Sequence, residues 1–188
     1  SNVYLTSSAR QRTLFWPGFP VEKSLYYLTW QEKTLPVSVL GYSHRQRAIY
    51  QEMGLRWDVP LSSSLHANNH KTSVVKNYSQ YIENLRKYKI NFTNGYISRR
   101  ESIIVGRAIE TILSGSVLMY ETGSDLGDFL EPYKHYVPIK NVPDFIDTAR
   151  FLIENDQYAE RMATDGYRFY ESNFGAQLFW QKILKVLQ

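Results

Sequence analysis

Three stretches of this chain combine residue types and spacings that suit the binding of an anion. In Gly41-Tyr42-Ser43-His44-Arg45-Gln46-Arg47 a glycine leaves an apolar run, and the helix start that follows carries His44, Arg45 and Arg47 in its first turn. Ser43 with Gln46 three residues later forms a capping box. A helix N-terminus offers free N–H groups and partial positive charge, so cations there are locally unfavourable and a phosphate relieves the conflict. The plain alternative is a solvated helix start, because the stretch is neither a Walker loop nor a GxGxxG turn. In Asn94-Gly95-Tyr96-Ile97-Ser98-Arg99-Arg100-Glu101, a glycine-containing loop that follows Thr93, two arginines stand side by side. Guanidinium forks match pairs of phosphate oxygens; the alternative is a flexible surface loop. On the helix from Arg107 to Gly115, Arg107, Glu110 and Ser114 are spaced i, i+3 and i+7 and share one face beside the apolar one. An Arg107–Glu110 ion pair is the ordinary reading, but Arg ahead of Glu is the less favourable order. A carboxylate in this place can accept from two ribose hydroxyls while Arg107 faces a phosphate.

Other chemistries are poorly served. His66 and His70 stand four apart in a polar stretch with no third ligand nearby, so no metal is expected. The absence of Cys excludes disulfides, thiolate metal sites and a catalytic Cys, and it favours a reducing, cytoplasmic setting. No apolar run approaches the roughly 18 residues of a membrane span, and no signal peptide opens the chain. A net charge of +4 favours anionic partners without demanding nucleic acid. Asn77-Tyr78-Ser79 and Asn91-Phe92-Thr93 match the glycosylation sequon, the second within an expected buried strand.

The elements that must position these side chains follow from periodicity. The chain has 188 residues, enough for one domain with a flanking piece. Residues 1–36 show little pattern, and Phe15-Trp16-Pro17-Gly18-Phe19-Pro20 is rich in breakers. Residues 1–34 are therefore expected to be a linker or the remnant of an upstream domain, and 35–188 the folded domain. A strand is expected over 37–40, a helix over 44–53 stopped by Gly54, and a strand over 55–60. A polar loop over 61–73, a helix ending near Leu85, a strand over 89–93 and a loop over 94–100 follow. After the Arg107 helix come a strand over 116–121, a short helix over 125–131 and a strand over 135–140, whose Pro138 marks a sheet edge. Three helices close the chain, with their aromatic residues, Trp180 included, expected in the core. Strands alternating with helices imply an α/β fold with a Rossmann-like, doubly wound, mostly parallel sheet and C-terminal helices. Ligands bind such sheets beyond the carboxyl ends of the strands.

The stretch Gly106-Arg107-Ala108-Ile109-Glu110-Thr111-Ile112-Leu113-Ser114-Gly115-Ser116-Val117-Leu118 resembles the C-terminal domain of GT-B-fold glycosyltransferases, where Arg is followed after three residues by Glu, then by a small residue, Gly and an apolar strand. Leu130-Glu131-Pro132, Asn155-Asp156, Ala159-Glu160 and Gly166 with Phe169 continue the likeness. His135-Tyr136-Val137-Pro138-Ile139-Lys140 and Gly41-Tyr42-Ser43-His44-Arg45 are similar to family 90, the protein O-glucosyltransferase and capsule-xylosyltransferase type. Glu110 itself looks more like the group-1 or spore-coat type. The resemblance implies a domain that binds a nucleotide-diphosphate sugar, such as a UDP-sugar, without a metal. The acceptor would be a glycan or protein, and a missing N-terminal domain would bind it and supply the base, which leaves the catalytic residue unassigned. Arg107 and Arg45 would contact the diphosphate, with Arg47, Arg99 and Arg100 in reserve. Glu110 would contact the ribose, and Gly41, Ser43, Thr93, Asn94 and Ser114 would line the pocket. A microbial or viral cytosolic enzyme fits the absence of cysteines. The alternative is a non-catalytic nucleotide- or single-strand nucleic-acid-binding module, whose basic residues should follow one groove rather than gather at strand ends.

Overall fold

The computed structural model describes residues 5–7, 12–14, 23–42, 45–66, 78–98, 101–102 and 104–187. A short antiparallel pair, β1 (Leu5–Ser7) and β2 (Arg12–Leu14), precedes helix α1 (Lys23–Tyr26) and a 3-10 turn at Trp30–Glu32. Then come β3 (Leu35–Tyr42), α2 (Arg45–Arg56), β4 (Leu61–His66), α3 (Tyr78–Leu85) and β5 (Tyr88–Thr93). A small hairpin, β6 (Tyr96–Ser98) and β7 (Glu101–Ser102), leads into α4 (Gly106–Leu113) and β8 (Val117–Glu121). After a 3-10 turn at Asp125–Asp128, β9 (Val137–Ile139) completes the sheet. Helices α5 (Val142–Glu154), α6 (Asp156–Phe174) and α7 (Ala176–Leu187) follow.

Five strands form one parallel sheet in the order β4-β3-β5-β8-β9. From β3 the chain steps outward to β4, then crosses back to β5 and continues to the other edge. Winding therefore reverses between β3 and β5, and the helices that leave these two strands diverge at their carboxyl ends. That divergence opens the crevice in which doubly wound sheets hold ligands.

Helices on both faces explain why the strands read as nearly continuous apolar runs. Along β8, Val117 and Met119 face one way and join Val37, Val39, Ile90 and Phe92 under α2, α5 and the start of α6. Leu118 and Tyr120 face the other way and join Tyr26, Ile82, Ile109, Ile112 and Tyr170 under α1, α3, α4 and the end of α6. Under the crevice, Tyr50, Phe92 and Phe145 form an aromatic triple with centroids 4.4 to 5.5 Å apart.

Several expectations are corrected. Gly54 does not stop its helix; α2 runs on to Arg56, and the missing side chain lets Leu61 and Phe145 close in. The expected strand over 55–60 is instead the last turn of α2 and a turn with Asp58 at φ 55°. The expected polar loop begins with β4, paired in parallel with β3 from Val37↔Leu61 to Tyr42↔His66. A sheet edge satisfies the backbone of a serine-rich segment whose side chains carry no strand periodicity. Residues 96–98 and 101–102 form a hairpin rather than a loop. Pro138 does lie on an edge strand, where its missing N–H is tolerated. Trp180 is exposed, not core. Within the stretch 1–34, expected as a linker or the remnant of an upstream domain, Tyr26 and Trp30 are buried in the two cores.

Candidate functional site

Arg47 lies in the first turn of α2, the helix that leaves β3, and is 3% exposed. Its Nη2 donates to Asn94 Oδ1 at 2.7 Å and to the Asn94 carbonyl at 3.3 Å. A guanidinium from one side of the switch point is thereby tied to the end of β5 on the other side. Burial and the neighbouring Arg107 lower Arg47 to about 10. Two cations that repel each other inside a crevice are costly unless an anion joins them.

Arg107 opens α4, whose N-cap, Val105, offers no side chain to the first turn. The Val105 N–H instead donates to the Tyr120 hydroxyl at 3.3 Å. This N-terminus therefore keeps free N–H groups beside a guanidinium, an arrangement that attracts anions. Thr93 and Asn94, at the end of β5, are buried. Among the described residues, Thr93 Oγ1, Asn94 Nδ2 and Arg107 Nε are buried polar atoms without a hydrogen-bond partner. Unpartnered groups gathered at one strand end are the mark of a site whose partner comes from outside.

Glu110 does not pair with Arg107. Its carboxylate accepts from the Tyr78 hydroxyl at 2.7 Å on Oε1 and from the Tyr81 hydroxyl at 2.8 Å on Oε2. Burial, then contact with Glu110, pushes both phenols far above the ordinary tyrosine value, so both remain donors. Sequence reasoning missed this pair, and also Tyr50, whose hydroxyl donates to Glu121 at 2.9 Å. Glu121, at the end of β8, partly offsets the burial that lowers Arg47. The one available signal was Tyr in place of Phe at apolar-face positions 50, 78 and 81.

Ser114 does not join the crevice. Helix α4 runs antiparallel to β5 and β8, so its last residues lie at the amino ends of the strands. There Ser114 Oγ donates to the Thr111 carbonyl at 2.7 Å and sits 2.8 Å from Ser116 Oγ, which donates to the carbonyl of Tyr88, the first residue of β5. Gly41 lies in the carboxyl-terminal part of β3 and Arg45 begins α2. Ser43, His44, Arg99, Arg100 and His70 lie outside the described residues. Among the described residues no group of three His, Asp or Glu is placed to hold a metal ion, and no helix is long and apolar enough to cross a membrane.

The fold and the arginine-lined crevice define a class, the doubly wound α/β domains that bind ligands at a switch point. Within it the chain belongs to the glycosyl transferase-like family, whose model it matches over residues 28–185. No curated protein sequence matches it significantly. Among solved structures, it is similar to the C-terminal domain of a group 1 family glycosyl transferase, LpcC, from Francisella tularensis. That match has a TM-score of 0.64 at 10% identity and covers 82% of this chain and 98% of that one. It is equally similar to Anabaena HepE, solved in complex with UDP-glucose, with a TM-score of 0.64, 11% identity and 90% of this chain covered. Sucrose-phosphate synthase from Thermosynechococcus elongatus matches with a TM-score of 0.64 at 12% identity over 89% of this chain. The chain spans 55% of HepE and 51% of the synthase, about half of each. The shared fold is that of the GT-B C-terminal domain.

Proposed function

We propose that this domain binds a nucleotide-diphosphate sugar in the crevice between β3 and β5, as the donor half of a glycosyltransferase. The observation that carries the reading is the buried Arg47 close to the half-buried Arg107, set beside buried, unpartnered polar atoms of Thr93, Asn94 and Arg107. A diphosphate supplies the acceptors these groups lack. In a water-poor crevice the guanidinium forks and the α4 N-terminus would hold the charge that grows on the departing diphosphate, without calling on a metal. Glu110, one turn further along α4, would accept from the ribose hydroxyls. HepE, solved with UDP and with UDP-glucose, supports a uridine nucleotide. The strand around His135-Tyr136-Val137-Pro138-Ile139-Lys140 supports a sugar chemistry near that of family 90. A glycan or protein acceptor, and the base that activates it, would come from a second domain.

Calorimetric titration of the chain with UDP and GDP, beside a single-stranded oligonucleotide, tests this reading. One of the two nucleotides binds, the oligonucleotide does not, and Arg107→Ala lowers nucleotide affinity at least about 30-fold, the worth of a charge-assisted contact or two. Arg107→Lys keeps the charge but loses the fork, and falls between. Undiminished nucleotide affinity in folded Arg107→Ala would sink the assignment.

A further inference from the structure

Glu110 is only 7% exposed, although it lies in the first turns of α4 beside the crevice. What covers it is a pair of hydroxyls, one on each carboxylate oxygen: Tyr78 at 2.7 Å and Tyr81 at 2.8 Å. A hydroxyl on one oxygen of a carboxylate is also what a ribose presents, and Oε1 is the oxygen that Tyr78 would free on leaving. The two tyrosines differ in how they are held. Tyr81 packs against the core under α4. Tyr78, at the first turn of α3, is 57% exposed. The Tyr78 hydroxyl gives its one proton to Glu110, so it accepts from Tyr26, whose hydroxyl is its other neighbour. If Tyr78 swings outward, a route to Glu110 opens and Tyr81 stays in place.

We propose that the Tyr78 hydroxyl holds the place on Glu110 that a ribose hydroxyl of the donor takes on binding, and that Tyr81 is the positioning residue that keeps Glu110 aimed at that ribose. The inference rests on the donor-site reading above and adds the event that must precede ribose contact. Nucleotide binding trades the Tyr78–Glu110 hydrogen bond for one from the ribose, so the contact is self-inhibitory and lowers affinity by the share of time the clasp is shut. Tyr81 acts in the opposite sense, because without its hydrogen bond the carboxylate loses its fixed direction.

The test compares the 188-residue chain with Tyr78→Phe, Tyr81→Phe and Glu110→Gln, using whichever of UDP and GDP binds, its 2′,3′-dideoxy analogue and inorganic pyrophosphate. Tyr78→Phe binds the ribonucleotide roughly fivefold more tightly, and Tyr81→Phe roughly tenfold more weakly, the range of one net hydrogen bond. Neither change alters pyrophosphate affinity, since that probe meets only the phosphate-binding groups, and the dideoxy analogue shows no gain in Tyr78→Phe. A general loss of packing cannot tighten binding, and a misfolded Tyr81→Phe would lose pyrophosphate as well. If Glu110→Gln weakens the ribonucleotide but Tyr78→Phe leaves its affinity equal or lower, the clasp is wrong while the donor site stands. If no nucleotide binds, the donor-site reading fails and the clasp falls with it; if a nucleotide binds but Glu110→Gln is without effect, Glu110 does not hold the ribose and the clasp is wrong while the phosphate-binding crevice stands.

Discussion

Two buried cations sit at opposite ends of this sheet, and their partners separate their roles. Arg47, at the carboxyl ends, shares its crevice with a second guanidinium and with unpartnered polar atoms. Lys33, at the amino ends, is saturated: its Nζ donates to the carbonyls of Arg86 and Ser114 at 2.8 Å and to Ser116 Oγ at 3.0 Å. Lys33 therefore ties the approach to β3 to the ends of α3 and α4 and has no call on a ligand. Burial nonetheless lowers it to about 7. Between that value and the ordinary lysine value of about 10.4, the unfolded chain holds a proton that the folded chain has released. Stability from this group should therefore rise with pH through that window, by up to about 1.4 kcal/mol per pH unit. Urea unfolding at pH 7, 8 and 9 checks the slope; it disappears in Lys33→Met. An equal slope in that variant would show that another group titrates.

At the scale of elements, α4 is the part that sets the site, and two glycines set its surroundings. Gly115 ends α4 at φ 71°, a conformation open to glycine, beside the Leu28 carbonyl. That turn brings β8 in next to β5. Gly166, inside α6, faces the backbone of His135: an added Cβ would lie 2.7 Å from the His135 carbonyl oxygen. In an open helix Gly→Ala gains roughly 0.5–1 kcal/mol. Here the contact is with backbone that cannot rotate away, so Gly166→Ala should instead cost about 2 kcal/mol or more. Thermal melting reads the sign, and a raised Tm would refute the close packing of α6 on the approach to β9. Ligand binding should change little in this variant, because Gly166 and His135 lie away from the β3–β5 crevice.

At the scale of the whole molecule, the chain spans nearly all of the isolated LpcC C-terminal domain but about half of HepE. A donor site built from one domain can hold a nucleotide sugar, but transfer also needs an acceptor held in line and a base to activate it. The 188-residue chain should therefore bind nucleotide and yet leave UDP-glucose intact in the presence of glycan acceptors, as followed by release of UDP. Turnover well above the uncatalysed rate by this chain alone would overturn that division of labour.

The sequence by itself determined the layered α/β architecture, because helical and strand periodicities are local and survive translation into structure. It also singled out Arg47, Asn94, Arg107 and Glu110 by their places at strand ends and helix starts, which are legible from breakers and caps. Strand order was not legible: the β4-β3-β5-β8-β9 sequence arises from packing between segments far apart in the chain. The edge strand β4 escaped notice because an edge pairs through its backbone, which is the same in every residue. The fate of single side chains was decided last, by tertiary contact. Ser114 shares a helix face with Arg107 and Glu110, yet it lies at the far end of the sheet with Ser116 and Lys33. Glu110, three positions beyond Arg107, has the spacing of an ion-pair partner for it, and only the packing of α3 on α4 places two tyrosine hydroxyls on its carboxylate instead.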